Sequence, residues 1–134
     1  MHVAFILATR GIPQLYYGEE ILMTGGHDPD NRKDFPGGWP GDKQSKFDRS
    51  GRNADEREMF AWTQEWIKLR RESPALREGR TIDLYYDNDT YVFERAAGGA
   101  SVVIAINNSD KPKRVNVAGG IDIPARSIIH VAGK

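Results

Sequence analysis

The sequence predicts an α+β protein in which an α/β segment precedes an antiparallel β-domain. Residues 1–24 are apolar and contain what reads as a helix end followed by a short apolar run. One amphipathic helix follows at about residues 55–72. From residue 80 the apolar positions recur every second residue, which is typical of half-buried strands. These changes of pattern predict two regions, residues 1–79 and residues 80–134.

Length and composition exclude several classes of function. A chain of 134 residues suits one domain, or a small domain plus a piece of another. Its 19 basic and 19 acidic side chains leave no basic excess, which argues against a nucleic-acid or membrane partner. The absence of cysteine excludes disulfides, thiolate catalysis and cysteine-based zinc sites. The apolar start lacks the basic region and cleavage site of a signal peptide. It matches the end of a buried helix that continues into a strand, so we expect that Met1 is not the true beginning of the protein.

The first region predicts a helix end, a strand and a turn. Residues 2–9 match the last turns of a helix, which Arg10 and Gly11 would end. Residues 12–17 match a short strand of a parallel sheet that is covered on both faces. Gly18 would then allow a sharp turn.

A long loop and a helix follow. Residues 25–55 are rich in Gly, Pro, Asp and Asn, and loops of this length are usually functional or disordered. The aromatic residues Phe35, Trp39 and Phe47 favour an ordered loop. Asn53 and Glu56 have the spacing of a capping box at a helix start. We expect the buried stripe of this helix to comprise Met59, Phe60, Trp62, Thr63, Trp66, Ile67 and Leu69.

Five strands are predicted after the helix, which Pro74 and Gly79 should close. They are TIDLYY, TYVFERA, ASVVIAIN, KRVNV and RSIIHV, and the breaks between them are DND, GG, NSDKP and AGGIDIPA. The expected result is an antiparallel sheet or small sandwich that packs on the preceding helix.

Four residues at the end of the predicted first strand are candidates for a site: Tyr16, Tyr17, Glu19 and Glu20. In parallel α/β proteins, ligands bind at the carboxyl ends of strands. A tyrosine ring suits a sugar ring, and paired carboxylates can act on a glycosidic bond. The alternative is structural, with the tyrosines filling a barrel end and the glutamates capping a helix or pairing with arginine.

The loop supplies three further candidates. Asp28 and Arg32 can form an ion pair or each bind hydroxyl groups. Trp39, between glycine and proline turns, can stack on a sugar or anchor the loop. The three histidines, His2, His27 and His130, are scattered without the spacing of a metal site, and we interpret them as packing or turn residues.

The order of these segments is more specific than any one of them. TRGIPQLYYGEEILM, GGHDPDNR and DFPGGW, followed by a helix and a terminal β-domain, resemble the α-amylase family, glycoside hydrolase family 13, and within it enzymes of the neopullulanase and cyclomaltodextrinase type. The resemblance covers the whole chain and is strongest over residues 9–39. It implies the last β/α unit of a (β/α)8 barrel, followed by an antiparallel β-sandwich domain.

The resemblance also implies that this chain carries substrate-binding residues but no catalytic ones. The catalytic carboxylates of the family lie after strands that precede the segment matched here, so no catalytic residue is expected on this chain. Asp28 and Arg32 match residues that bind glucose units, and Tyr17 and Trp39 are predicted to contribute to the same substrate site. The implied parent enzyme hydrolyses α-1,4 bonds with retention. We expect no cofactor and no metal site on this chain. Family resemblance slightly favours a periplasmic or extracellular location.

The residues are also compatible with two other functions. The β-domain could be a stand-alone carbohydrate-binding module that uses Tyr85, Tyr86 or Tyr91, or it could only shield the barrel. The expected partners are an α-glucan oligosaccharide and the missing N-terminal barrel of the same protein. Because residues 12–17 would lack neighbouring strands, we expect residues 1–50 to be poorly ordered or the chain to self-associate through them.

Overall fold

Residues 1–133 are described by a computed structural model of the chain, which contains three α-helices and three short 3-10 turns followed by antiparallel β-structure. The helices are α1 (His2–Ala8), α2 (Ala54–Glu72) and α3 (Pro74–Glu78). The strands are β1 (Arg80–Tyr86), β2 (Thr90–Ala97), β3 (Ala100–Asn107), β4 (Lys113–Val115), β5 (Ile121–Ile123) and β6 (Ser127–Ala132). The predicted α+β class is therefore confirmed. Within this range, no helix combines the length and the apolar character that crossing a bilayer requires.

The chain divides into two compact units. Gln14–Glu65 form one unit, and Met1–Pro13 together with the residues from Trp66 onwards form the other. The proposed division of the parent protein at residues 79 and 80 stays a prediction.

The β-region contains two antiparallel sheets. The larger has the strand order β1-β2-β3-β6, and the smaller consists of β4 and β5. The expectation of five strands was wrong, because β5 lies within the segment AGGIDIPA that was interpreted as a turn. Ile121 and Ile123 are buried on either side of exposed Asp122 and pair with Val115 and Lys113. Three alternating residues among Gly and Pro are too short a pattern to separate from a turn.

Both sheets share one apolar cluster. Its buried members alternate along the strands with residues that face the other side, as the period of two requires. They are Val92, Val103, Ala105, Val115, Ile121 and Ile123. On the opposite face of the larger sheet, Phe93 and Ile104 are fully buried.

The prediction of a strand at residues 12–17 was wrong. These residues form no strand in the structure, and the side chain of Ile12 is 97% exposed. A strand requires hydrogen bonds to a neighbouring strand, and residues 1–133 supply none at this position. Helix α1, by contrast, forms as predicted and buries Val3, Ala4, Leu7 and Ala8.

Helix α2 confirms the predicted helix and its capping box. The Glu56 amide donates to Asn53 Oδ1 at 2.9 Å, and the Asn53 amide donates to Glu56 Oε2 at 2.8 Å. Trp66 is buried, but Ile67 is 42% exposed, so its place in the buried stripe was wrong. After α2, Ser73 caps α3 with its hydroxyl, which accepts from the Leu76 amide at 3.3 Å.

Candidate functional site

A cleft of about 670 Å³ opens within residues 14–65. Its walls come from the segment that follows Pro13 and from the first part of the long loop. The lining residues are Tyr16, Tyr17, Glu19, Met23, Thr24, Gly25, Asn31, Arg32 and Lys33. The volume lies within the usual range of small-molecule sites, about 300–1,000 Å³.

A tight turn after Tyr17 forms one wall of the cleft. Gly18 has φ of +91°, a left-handed conformation that favours glycine. Its carbonyl accepts from the amides of Ile21 at 3.1 Å and Met23 at 2.9 Å. A Cβ atom at this position would lie 2.5 Å from Met23 Sδ. The sharp turn that was predicted at Gly18 is therefore confirmed.

Glu20 has a structural contact inside this turn. Its Oε2 accepts from the Gly18 amide at 2.8 Å, which closes the turn on itself. Glu19 and Glu20 both lie in a single 3-10 turn, Glu19–Ile21. Only Glu19 of the two lines the cleft.

Tyr17 connects the two walls of the cleft. Its hydroxyl donates to the carbonyl of Lys33 at 2.8 Å, and its ring centroid lies 4.7 Å from that of Tyr16. Partial burial, followed by the Tyr16 hydroxyl, raises the pKa of Tyr17 above its ordinary value of 10.0. The hydroxyl therefore stays protonated at neutral pH, and the half-exposed ring offers an apolar surface to the solvent.

Asp28 and Arg32 form the ion pair that their spacing allows. Arg32 Nε lies 2.9 Å from Asp28 Oδ1, and both side chains are more than 60% exposed. A second pair links Lys33 Nζ with Asp30 Oδ1 at 3.2 Å. Exposed pairs of this kind contribute about 0–1 kcal/mol, so a ligand hydroxyl can displace one partner at little cost.

Trp39 lies on a separate turn that hydrogen bonds to Asp42 stabilise. Asp42 Oδ2 accepts from the amides of Gly37 at 2.7 Å and Trp39 at 3.1 Å, which fixes the backbone around the indole. The Trp39 side chain is 62% exposed. Nearby, the rings of Phe35 and Phe47 lie 4.5 Å apart, so the aromatic residues of the loop order it in part by contacting each other.

The structure therefore brings together part of the predicted substrate set. Tyr17 and Arg32 line one cleft, and Asp28 reaches it through its ion pair with Arg32. Trp39 does not line this cleft. Asn31 and Lys33 also line it and were not predicted. Their position inside DPDNRK was the available signal, because a loop that supplies one wall residue commonly supplies its neighbours.

The remaining candidates lie elsewhere. His130 packs edge-on against Trp66, with ring centroids 5.5 Å apart. Among residues 1–133, no group of three His, Asp or Glu side chains is arranged to hold a metal ion. Of the three sheet tyrosines, Tyr86 and Tyr91 are cross-strand partners, whereas Tyr85 donates its hydroxyl to Asp87 at 2.7 Å.

Comparisons with known proteins identify relatives along nearly the whole chain. No family model matches it. The chain is 37% identical over 109 residues to a cyclomaltodextrin glucanotransferase of Geobacillus stearothermophilus, covering 81% of this chain and 13% of that protein. It is 34% identical over 133 residues to the enzyme of the same name from Bacillus sp. (strain 6.6.3), covering 98% of this chain and 16% of that protein.

Solved structures agree with these relatives. The debranching enzyme from Nostoc punctiforme superposes with a TM-score of 0.78 at 26% identity, covering 98% of this chain and 30% of the enzyme's chain. The chain thus spans about a sixth or less of the curated relatives named above. Sequence and fold together show that the chain belongs, as the counterpart of one part of longer enzymes, to the α-amylase family, glycoside hydrolase family 13.

Proposed function

We propose that this chain is the C-terminal part of a retaining α-glucan hydrolase that acts on α-1,4 bonds of starch, maltodextrins, cyclodextrins or pullulan. Residues 1–79 would supply the last β/α unit of a (β/α)8 barrel, and residues 80–134 an antiparallel β-sandwich domain. The observation that supports this most is the cleft that Tyr17 and Arg32 both line. Both residues lie in segments that resemble motifs of the family, and the segment of Arg32 resembles one that binds glucose units.

The cleft suits a sugar. The exposed tyrosine rings offer a surface for the apolar face of a pyranose, and the Arg32 guanidinium and Asp28 carboxylate offer donors and acceptors for its hydroxyls. The two charges cancel, which suits a neutral ligand. Trp39, held out by its own turn, would contact a more distant unit of the same glucan.

The chemistry itself would come from the rest of the protein. Retaining hydrolysis requires two carboxyl groups about 5–5.5 Å apart on opposite sides of the bond. Glu20 is committed to the Gly18 amide, and Glu19 is its neighbour in the same 3-10 turn. Two consecutive residues of one turn cannot flank a sugar from both sides. We therefore assign neither as a catalytic residue.

Glucan transfer is a second candidate for the parent enzyme. The relatives named above are glucanotransferases, and a retaining mechanism passes through a covalent intermediate that either water or another sugar can resolve. Hydrolysis and transfer would share the cleft described here. Product analysis of the complete protein with maltoheptaose, by scoring shorter or longer maltodextrins and cyclic products, separates them.

The activity of the chain alone tests whether the catalytic carboxylates lie outside it. We expect the purified 134-residue chain to release no reducing sugar from maltoheptaose, since the catalytic carboxylates lie elsewhere. Release above that of a heat-denatured control would contradict this proposal. If the β-domain were instead a stand-alone carbohydrate-binding module, maltoheptaose binding would be lost in Tyr86→Ala and kept in Arg32→Ala. No binding at all would favour a purely structural β-domain.

Residues 12–17 would become a strand only beside the missing barrel. In the isolated chain the exposed Ile12, Tyr16 and Tyr17 side chains and unpaired backbone then favour self-association or poor order. Hydrogen exchange together with sedimentation tests this. A monomer with fully protected amides over residues 12–17 would contradict it.

A further inference from the structure

A second cleft, of about 540 Å³, opens on the larger sheet and is separate from the one that holds Tyr17 and Arg32. All of its lining residues belong to the compact unit formed by residues 1–13 and the chain from Trp66 onwards. Phe5 and Arg10 border it on one side, and Thr81, Asp83, Tyr91 and Phe93 of β1 and β2 border it on the other.

The floor of this second cleft is aromatic. Alternation along β2 directs Val92 into the core between the sheets and Tyr91 and Phe93 to the opposite face. The Tyr91 and Phe93 rings stack with centroids 4.9 Å apart and planes inclined by 29°. Phe93 is fully buried, Tyr91 is half-buried, and Phe5 is 42% exposed at the border. The cleft therefore presents an aromatic surface that solvent can reach.

The rim supplies one acceptor group and one donor group. The Tyr91 hydroxyl donates to Asp83 Oδ1 at 2.5 Å, which leaves Oδ2 of that carboxylate without a hydrogen bond from residues 1–133. Burial and the Asp83 contact raise the pKa of Tyr91 to about 12, so this hydroxyl stays a donor. Arg10 is exposed and lines the cleft, so its guanidinium can donate to a ligand there.

We propose that this second cleft binds a pyranose unit of a neutral oligosaccharide. The Tyr91 and Phe5 rings would contact the apolar face of the sugar, while Asp83 accepts from and Arg10 donates to its hydroxyl groups. Asp83 and Arg10 thus place one acceptor group and one donor group on the rim, which suits a ring whose hydroxyl groups both donate and accept. This site is separate from the cleft that holds Tyr17 and Arg32. Only the choice of an α-glucan as the test ligand rests on the proposed function.

Titration of the ¹⁵N-labelled 134-residue chain with maltoheptaose tests the site. We expect saturable amide shifts centred on Thr81, Asp83 and Tyr91, with a dissociation constant on the order of millimolar, as is usual for few contacts on an open surface. Sorbitol, which has the hydroxyls but no ring, should cause none of these shifts. Equal shifts with sorbitol, or shifts confined to residues 16–33, would overturn the proposal.

Substitutions at the rim provide the second test. Asp83→Asn keeps the side-chain shape, and Arg10→Gln changes an exposed residue, so both variants should stay folded. Each should weaken binding at the second cleft about tenfold, because a hydrogen bond to a charged group is lost. Arg80→Gln, on β1 but outside the cleft, and Arg32→Ala, in the first cleft, should leave it unchanged. Unchanged binding in both rim variants would overturn the proposal.

Discussion

The guanidinium of Arg95 donates to the carbonyl of Ala8 at 2.9 Å, although the two residues are 87 positions apart. A second bond, to the carbonyl of Gly79, is 2.7 Å long, and the Arg95 side chain is only 1% exposed. Arg70 acts in the same way on the carbonyls of Leu7 and Thr9, at 2.7 and 2.9 Å. Two buried cations thus satisfy the last carbonyls of α1, where a helix leaves acceptors unpaired and its dipole is negative.

Arg95→Ala should reduce the free energy of unfolding by about 2–4 kcal/mol. The substitution leaves two buried carbonyls without a donor and opens a cavity where the side chain was. Arg80→Ala, on the exposed edge strand, should change stability by less than about 0.5 kcal/mol and serves as the control. Urea unfolding followed by circular dichroism measures both. Equal effects of the two substitutions would contradict the role given to Arg95.

Glu56 should make stability depend on pH through the capping box of α2. Its carboxylate lies 2.6 Å from Lys46 Nζ, and this hydrogen bond, followed by that from the Asn53 amide, lowers the pKa of Glu56. Because the folded-state pKa is the lower one, the stabilisation is fully present above the unfolded value of about 4.3 and is lost as the pH falls through the folded value.

Glu56→Gln should therefore lower stability at pH 7 and flatten its dependence on pH below about 5. Glu65→Gln, at an exposed position later in α2, provides the matched control and should leave the profile unchanged. Free energies of unfolding measured between pH 2 and pH 7 test this pH dependence. A wild-type profile in Glu56→Gln would show that the carboxylate contributes nothing to the cap.

Gly18→Ala should destabilise the turn at the first cleft more than Gly41→Ala destabilises its own turn. The two glycines share a left-handed φ, +91° and +100°, so backbone strain is matched. An added Cβ meets Met23 Sδ at 2.5 Å in the first case and no atom within 4 Å in the second. We expect a difference of at least about 1 kcal/mol in unfolding free energy. Identical losses would mean that close packing against Met23 is unimportant.

Asp87 should stabilise the β-region only while its carboxylate is ionised, so this stabilisation should be lost in acid. The Lys113 ammonium, followed by the Tyr85 hydroxyl, holds the pKa of Asp87 well below its ordinary value of 3.8. The carboxylate therefore stabilises the folded state above about pH 4, and this stabilisation is lost as the pH falls through the lower, folded-state pKa.

Asp87→Asn should have a lower free energy of unfolding at pH 7, and this free energy should depend less on pH below about pH 4. Asp122→Asn loses only an exposed ion pair with Arg114 and should show neither effect. A steeper profile in Asp87→Asn would contradict this assignment.

Local patterns predicted the elements whose stabilising groups are close in sequence. The capping box at Asn53 and Glu56 and the alternation in β2 and β3 are examples, because neighbours a few residues apart determine them. Residues 12–17 illustrate the opposite case. Their apolar character predicts a strand, but a strand forms only when another strand is present to accept its hydrogen bonds.

The candidate site was predictable to the same extent. Tyr17 and Arg32 were identified from motifs, and the structure places both in one cleft. The buried contacts of Arg70 and Arg95 were not, since they join positions more than 60 residues from α1 and leave no local pattern. The second cleft leaves no local pattern for the same reason, because Arg10 and Asp83 come to it from distant parts of the chain.

We propose that Arg32 binds glucan in the cleft of a larger α-glucan enzyme. The most direct test is kcat/KM for maltoheptaose in the complete protein that contains this chain, compared between Arg32→Ala and Arg49→Ala, an exposed loop arginine outside the cleft. We predict that Arg32→Ala lowers kcat/KM at least about tenfold, by the loss of a charge-assisted hydrogen bond, and that Arg49→Ala leaves it unchanged. Equal kcat/KM values in the two variants would contradict the assignment.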